Sequence, residues 1–93
     1  MIVSNSKNTY AKFTTEIDGK TLSYYIPVYC WKVVDSDVVG LVPAIGSNAN
    51  LLEVQGSDTD KLYGDFQFYL DESQIESDKD DNPNVLAFIY PKT

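Results

Sequence analysis

Residues 9–34, TYAKFTTEIDGKTLSYYIPVYCWKVV, decide the fold: two runs rich in β-branched and aromatic residues flank the dipeptide Asp18-Gly19. Asp-Gly tolerates the positive φ angles of a two-residue hairpin turn. With those two residues as the loop, Ile17 pairs with Lys20 and the register follows outward from there. Ala11 then lies opposite Ile26, Phe13 opposite Tyr24 and Thr15 opposite Leu22, all on one face. The other face carries Tyr10, Lys12, Thr14 and Glu16 against Pro27, Tyr25, Ser23 and Thr21. Apolar residues gather on one side and polar ones on the other, which is the agreement expected when turn and period are both right.

Pro27 cannot donate to a strand ladder, so a sheet edge, bulge or bend divides the second run before residues 28–34 continue it. A strand bent there can serve two sheets. Beyond it, Asp35-Ser36-Asp37 reads as a turn and residues 38–44 as a third strand, closed by Pro43 and the loop Gly46-Ser47-Asn48. Residues 51–55 make a fourth, followed by a turn at Gly56-Ser57-Asp58. In residues 62–70, Leu62, Gly64, Phe66, Phe68 and Leu70 alternate with Tyr63, Asp65, Gln67 and Tyr69, the period of a fifth strand with Gly64 as a bulge or close approach. Residues 71–77 hold one apolar side chain, Ile75, enough for a single helical turn capped by Asp71. Residues 78–84 read as a polar loop and residues 85–90 as a closing sixth strand. The expectation is one domain over residues 1–93, all-β or β-rich with at most one short helical turn: a small six-strand barrel or sandwich built around the N-terminal hairpin.

Composition bounds the chemistry. The 93 residues are 43% hydrophobic, enough apolar area to offset the ordering entropy of one modest core. The single Cys30 cannot form an intramolecular disulfide, and a chain without His cannot supply an ordinary zinc site from it. No apolar run reaches the length of a membrane span, and residues 1–10 lack the order of a signal peptide, so the chain reads as soluble and made in the cytoplasm. Fourteen acids stand against seven Lys, with no Arg, for a net charge of −7. The charge is unevenly spread, at +2 over residues 1–34 and −10 over residues 35–81. Such a field repels phosphate backbones and disfavours direct nucleic-acid binding; it predicts a protein partner with a basic surface.

Catalytic groups are sparse. Cys30 has only Lys32 as a nearby cation, too little to activate a thiolate, and reads as a buried structural thiol. Gly40, Gly46, Gly56 and Gly64 are scattered and make no phosphate loop, so no enzyme activity and no cofactor are expected. Asp78, Asp80, Asn82 and Asn84 fall at the alternate positions of a calcium loop, but Pro83 stands where that loop needs Gly and Ile89 where it needs Glu, so no metal is expected.

Two sets of residues remain as partner-binding candidates. Odd positions of the second run place Tyr25, Tyr29 and Trp31 on one face, the residue types that anchor protein interfaces and also stack on sugars. Tyr63, Asp65, Tyr69, Asp71 and Glu72, continued by Asp78, Asp80 and Asp81, form an acidic, Tyr-bearing surface complementary to a basic groove. The residues point to a non-enzymatic acidic binding module, of the type a phage or mobile element would use to inhibit a host enzyme or defence complex. A virion or secretion-apparatus subunit that self-assembles is the alternative, with homo-oligomers expected, and a carbohydrate-binding module is the third.

Overall fold

In the computed structural model, which describes residues 1–4, 8–44 and 50–81, the chain runs β1 (Ile2–Ser4), β2 (Thr9–Ile17), β3 (Lys20–Pro27), β4 (Cys30–Val34), β5 (Asp37–Pro43), β6 (Leu51–Glu53), α1 (Ser57–Tyr63), β7 (Asp65–Asp71) and α2 (Glu72–Asp81). The strands form two antiparallel sheets, one ordered β1-β4-β5-β6 and the other β3-β2-β7. Among the described residues neither sheet closes into a barrel. The expected strand over residues 85–90 lies outside the described residues, as do Asn82 and Asn84 of the calcium-like spacing.

The hairpin forms in the register its turn dictates. Asp18 and Gly19 take φ of 53° and 77°, and β2 pairs β3 from Ile17↔Lys20 to Tyr10↔Pro27. Past Pro27 the chain changes sheets within two residues. The Val28 N–H donates to the Thr9 carbonyl of the β3-β2-β7 sheet at 3.0 Å, and the Tyr29 N–H donates to the Leu41 carbonyl of the other sheet at 2.8 Å. Proline's missing donor ends one ladder, and the next residues' donors are divided between two partners. β4 then pairs β5 around a turn in which Asp35 holds φ 54°, and β1, a strand the sequence does not announce, adds to its other edge through Ile2↔Lys32 and Ser4↔Cys30.

Both sheets contribute to one apolar cluster. Ala11, Phe13 and Ile26 come from one sheet, Val42 from the other, and Val28, Val54 and Tyr63 from the segments between. Its aromatic rings form a chain: Tyr63 to Phe13 at 5.3 Å, Phe13 to Phe66 at 5.9 Å, Phe66 to Tyr69 at 4.7 Å, and Tyr69 to Trp31 of the facing sheet at 4.9 Å. Gly40 makes the last step possible. A Cβ there would lie 2.9 Å from the Tyr69 ring, and its absence lets the Gly40 N–H donate to the Tyr69 hydroxyl at 2.8 Å.

Two helices replace the single turn expected. α1 occupies residues read as a turn and as the start of a strand. Its Thr59 and Tyr63, one turn apart, are both buried, and their hydroxyls donate to the carbonyls of Glu53 and Pro43. These bonds anchor α1 to the chain before it, and its N-cap residue, Gly56, provides no side-chain acceptor. α2 extends four residues past the expected turn at its C-terminal end and takes in residues 78–81 of the segment read as a polar loop. The Asp71 N–H donates to Gln74 Oε1 at 2.8 Å, half of a capping box, and Ile75 enters a second apolar cluster with Tyr10, Tyr25 and Leu70.

Candidate binding face

The face in question is built by α2 and β7, and a bulge in β7 decides what it presents. Lys12 pairs with Phe68 while Phe13 pairs with Phe66, so Gln67 is the extra residue. An extra residue shifts the alternation by one. Phe66 and Tyr69 therefore pack inward beside Phe13 and Trp31, whereas Phe68 and Leu70 sit opposite Lys12 and Tyr10 on the outer side. α2 covers Leu70 with Ile75 but leaves Phe68 46% exposed.

Beneath α2 lies a charged contact. Lys12, on the outer face of β2, meets Asp78 at 2.9 Å, with the two side chains 7% and 15% exposed. The Tyr25 hydroxyl donates to the same carboxylate oxygen, Oδ2, Lys12 Nζ also donates to Oδ1 at 3.1 Å, and Nζ rests 5.1 Å from the centre of the Phe68 ring. A buried ammonium is costly unless it is paired and hydrogen-bonded, and here it is both. Burial pushes the Tyr25 phenol well above its ordinary range, with further contributions from the bond to Asp78 and the charges of Asp78 and Glu76. Burial also raises Tyr63 and Tyr69, offset at Tyr69 by the bond from the Gly40 N–H.

These shifts set an alkaline limit. Unfolded tyrosine ionises near pH ~10, while the three native phenols keep their protons beyond it. The unfolded state then binds fewer protons, so their contribution is fully present below pH ~10 and is lost as pH rises through the folded values. Tyr25, Tyr63 and Tyr69 are expected to ionise last, together with loss of the far-ultraviolet circular dichroism. Complete tyrosinate absorbance while that signal is still native would contradict the packing described.

The expected site residues divide into three groups. Tyr25 and Tyr63 are fully buried, because α2 covers the outer face at Tyr25 and α1 turns Tyr63 into the core. Trp31 and Tyr69 are partly buried against each other, since the sheet change at Val28 and Tyr29 inverts the phase on which an exposed Trp31 rests. Tyr29 alone of the first aromatic set is largely exposed, at 57%. Tyr25, Tyr29 and Trp31 therefore share no exposed platform. Asp65, Asp71, Glu72, Asp80 and Asp81 are exposed, but Asp78 is committed to Lys12 and Tyr25.

Asp78 and Asp80 stand two apart on a helix, about 200° around its axis, which prevents the wrapping a calcium loop needs. Among the described residues no three metal-ligating side chains come together, and no helix is long and apolar enough to cross a membrane. Cys30 is buried and unpaired by any disulfide.

Phe68 was not singled out by sequence reasoning, which placed it on the same face as Phe66; only the bulge separates them. The signals for α2 were present as Asp71-x-x-Gln74 and Ile75-x-x-Asp78, a cap pattern followed by two inward positions one turn apart. No protein-family model, curated protein or solved structure matches this chain.

Proposed function

We propose that the protein is a non-enzymatic acidic binding module that docks on a basic surface of a larger partner through the face made by α2 and β7. One observation carries this reading: Asp65, Asp71, Asp80 and Asp81 are exposed on the strand and helix that also present the half-exposed Phe68, and among the described residues none of the four has an ion-pair partner. Carboxylates kept clear of internal cations retain their field for a partner, and an aromatic among them adds contact area. An inhibitor that covers the basic groove of a host enzyme or defence complex would have this surface. The two sheets are read with it as the layers of a small sandwich that holds the face rigid; their shared cluster of Phe13, Ile26 and Val42 supports this.

The test is capture of partners from a lysate of the cell that makes the protein, at low and high salt, with the wild type and with Asp65→Lys/Asp80→Lys. Both positions are exposed, and Lys near the C-terminal end of α2 suits the helix dipole, so the variant keeps its fold. The expected result is salt-sensitive capture reduced by about tenfold or more in the variant. Equal capture by both proteins at both salts would sink the reading.

A second reading, a self-assembling structural subunit, is favoured by a different surface. Ile2, Val34 and Val38 are exposed at one end of the β1-β4-β5-β6 sheet, and β1 leaves a strand edge there without a partner among the described residues. Light scattering across a concentration series separates the two, because assembly predicts a mass that climbs with concentration and the binding module predicts a monomer.

A further inference from the structure

The outer side of β7 and one face of α2 enclose a cleft. Phe68 and Leu70 line it from the strand, and Gln74, Ser77, Asp78 and Asp81 from the helix. The helical residues recur at the spacing of a single face, so the cleft runs along α2 for two turns. Its chemistry is graded. Leu70 is covered by Ile75, and Asp78 is already satisfied by Lys12 and Tyr25. What is left to an incoming group is the half-exposed ring of Phe68, the Ser77 hydroxyl and the Asp81 carboxylate, which has no ion-pair partner among the described residues.

We propose that this cleft receives one arginine side chain of the basic partner. The inference rests on the binding role proposed above and names its anchor. An apolar ligand would bury Asp81 and Ser77 without partners, and an anion would meet the field of a segment carrying −10 over residues 35–81. An ammonium answers the charge but leaves the flat ring poorly covered. A guanidinium does both: its face stacks on Phe68 and its N–H fork donates to Asp81 and the Ser77 oxygen. The Lys12 ammonium, 5.1 Å from the centre of the Phe68 ring, is balanced by Asp78, so an incoming guanidinium is not met there by an unpaired cation. The chain contains no Arg of its own to fill the cleft.

The test titrates the ¹⁵N-labelled protein with three capped pentapeptides, identical except for a central Arg, Lys or norleucine, and follows the amide resonances. The Arg peptide is expected to move Phe68 and the amides of residues 74–81. The Lys peptide should bind at least about threefold more weakly, and the norleucine peptide should leave the spectrum unchanged. Asp81→Asn and Phe68→Leu should each weaken the Arg peptide by at least about fivefold, against less than about twofold for Asp65→Asn at the far end of β7. The same spectra report whether each variant is folded, and Asp81 is exposed at a helix end where loss of a negative charge favours the helix.

Equal binding of the Arg and Lys peptides, or equal loss from Asp81→Asn and Asp65→Asn, would overturn the cleft and leave only a diffuse acidic attraction. That outcome would leave the broader binding role standing. Failure of the broader role is read separately, in the lysate capture by Asp65→Lys/Asp80→Lys, which alters neither Phe68 nor Asp81.

Discussion

Gly64→Ala is expected to leave the protein largely unfolded. Gly64 joins α1 to β7 with φ 100° and ψ −156°, a backbone region that side-chain-bearing residues essentially do not enter. Space is the greater obstacle. A Cβ at this position would lie 2.2 Å from the Thr14 carbonyl oxygen and 2.9 Å from its carbon, with the Thr15 Cβ at 3.0 Å. These are mainly backbone atoms of the adjacent strand, so no rotamer change relieves the overlap. The remedy is to part β7 from β2 at the Thr14↔Asp65 pair, which also disturbs the packing of Phe66 on Phe13.

Conformational strain of about 1 to 3 kcal/mol together with such a collision exceeds the usual range of point substitutions, and a domain of this size has only about 5 to 15 kcal/mol in total. Gly19→Ala provides the contrast. Gly19 also has positive φ, at 77°, but a Cβ there would meet nothing within 4 Å, so only the conformational cost of about 1 kcal/mol applies. Urea unfolding followed by circular dichroism measures both. Similar midpoints for the two variants would show that the close approach to Thr14 is not what Gly64 provides.

Asp78→Ala is expected to cost about 3 to 5 kcal/mol, the range for leaving one member of a buried ion pair without its partner. Lys12 would keep a nearly buried ammonium beside Phe68 with no carboxylate, and the Tyr25 hydroxyl would lose its acceptor. α2 would lose its polar attachment to the outer face of β2, retaining Ile75 and, at its first residue, the hydrogen bonds between Glu72 and Asn8. The helix has little intrinsic reason to persist, because Asp80 and Asp81 still place two negative charges near the negative end of its dipole.

The penalty comes from breaking the contact and not from lacking it, so removing all three polar groups should restore most of the loss. Lys12→Met/Tyr25→Phe/Asp78→Leu leaves apolar groups of similar volume and no orphaned donor. The paired measurement is urea unfolding with amide hydrogen exchange across α2. The single variant should lower the midpoint and speed exchange in α2 before the strands, and the triple variant should recover both. A loss below about 1 kcal/mol in the single variant would mean that solvent screens the contact as it does at a surface.

The acidic surface was legible as a charge count, because exposed carboxylates need only solvent and not a partner in the fold. Its anchor was not. Whether Phe68 faces the core or the cleft depends on one extra residue at Gln67, and period-2 reading carries straight through it. The same limit applies to Tyr25 and Trp31. On a continuous strand they share an exposed face, but the first is covered by a helix from far along the chain and the second lies beyond the change of sheet at Val28 and Tyr29.

Sequence by itself determined the hairpin, its register and the division of the second run after Pro27, since all three follow from local backbone chemistry: two residues that accept positive φ, and one that lacks a donor. It also determined that the acids would dominate residues 35–81. Tertiary structure alone decided α1, the growth of the expected turn at residues 71–77 into α2, the bulge and the Lys12–Asp78–Tyr25 contact. α1 and α2 are 7 and 10 residues long, too short to hold their shape on intrinsic propensity. They exist because Tyr63, Ile75 and Asp78 find partners distant in sequence, and no local pattern records that those partners will be there.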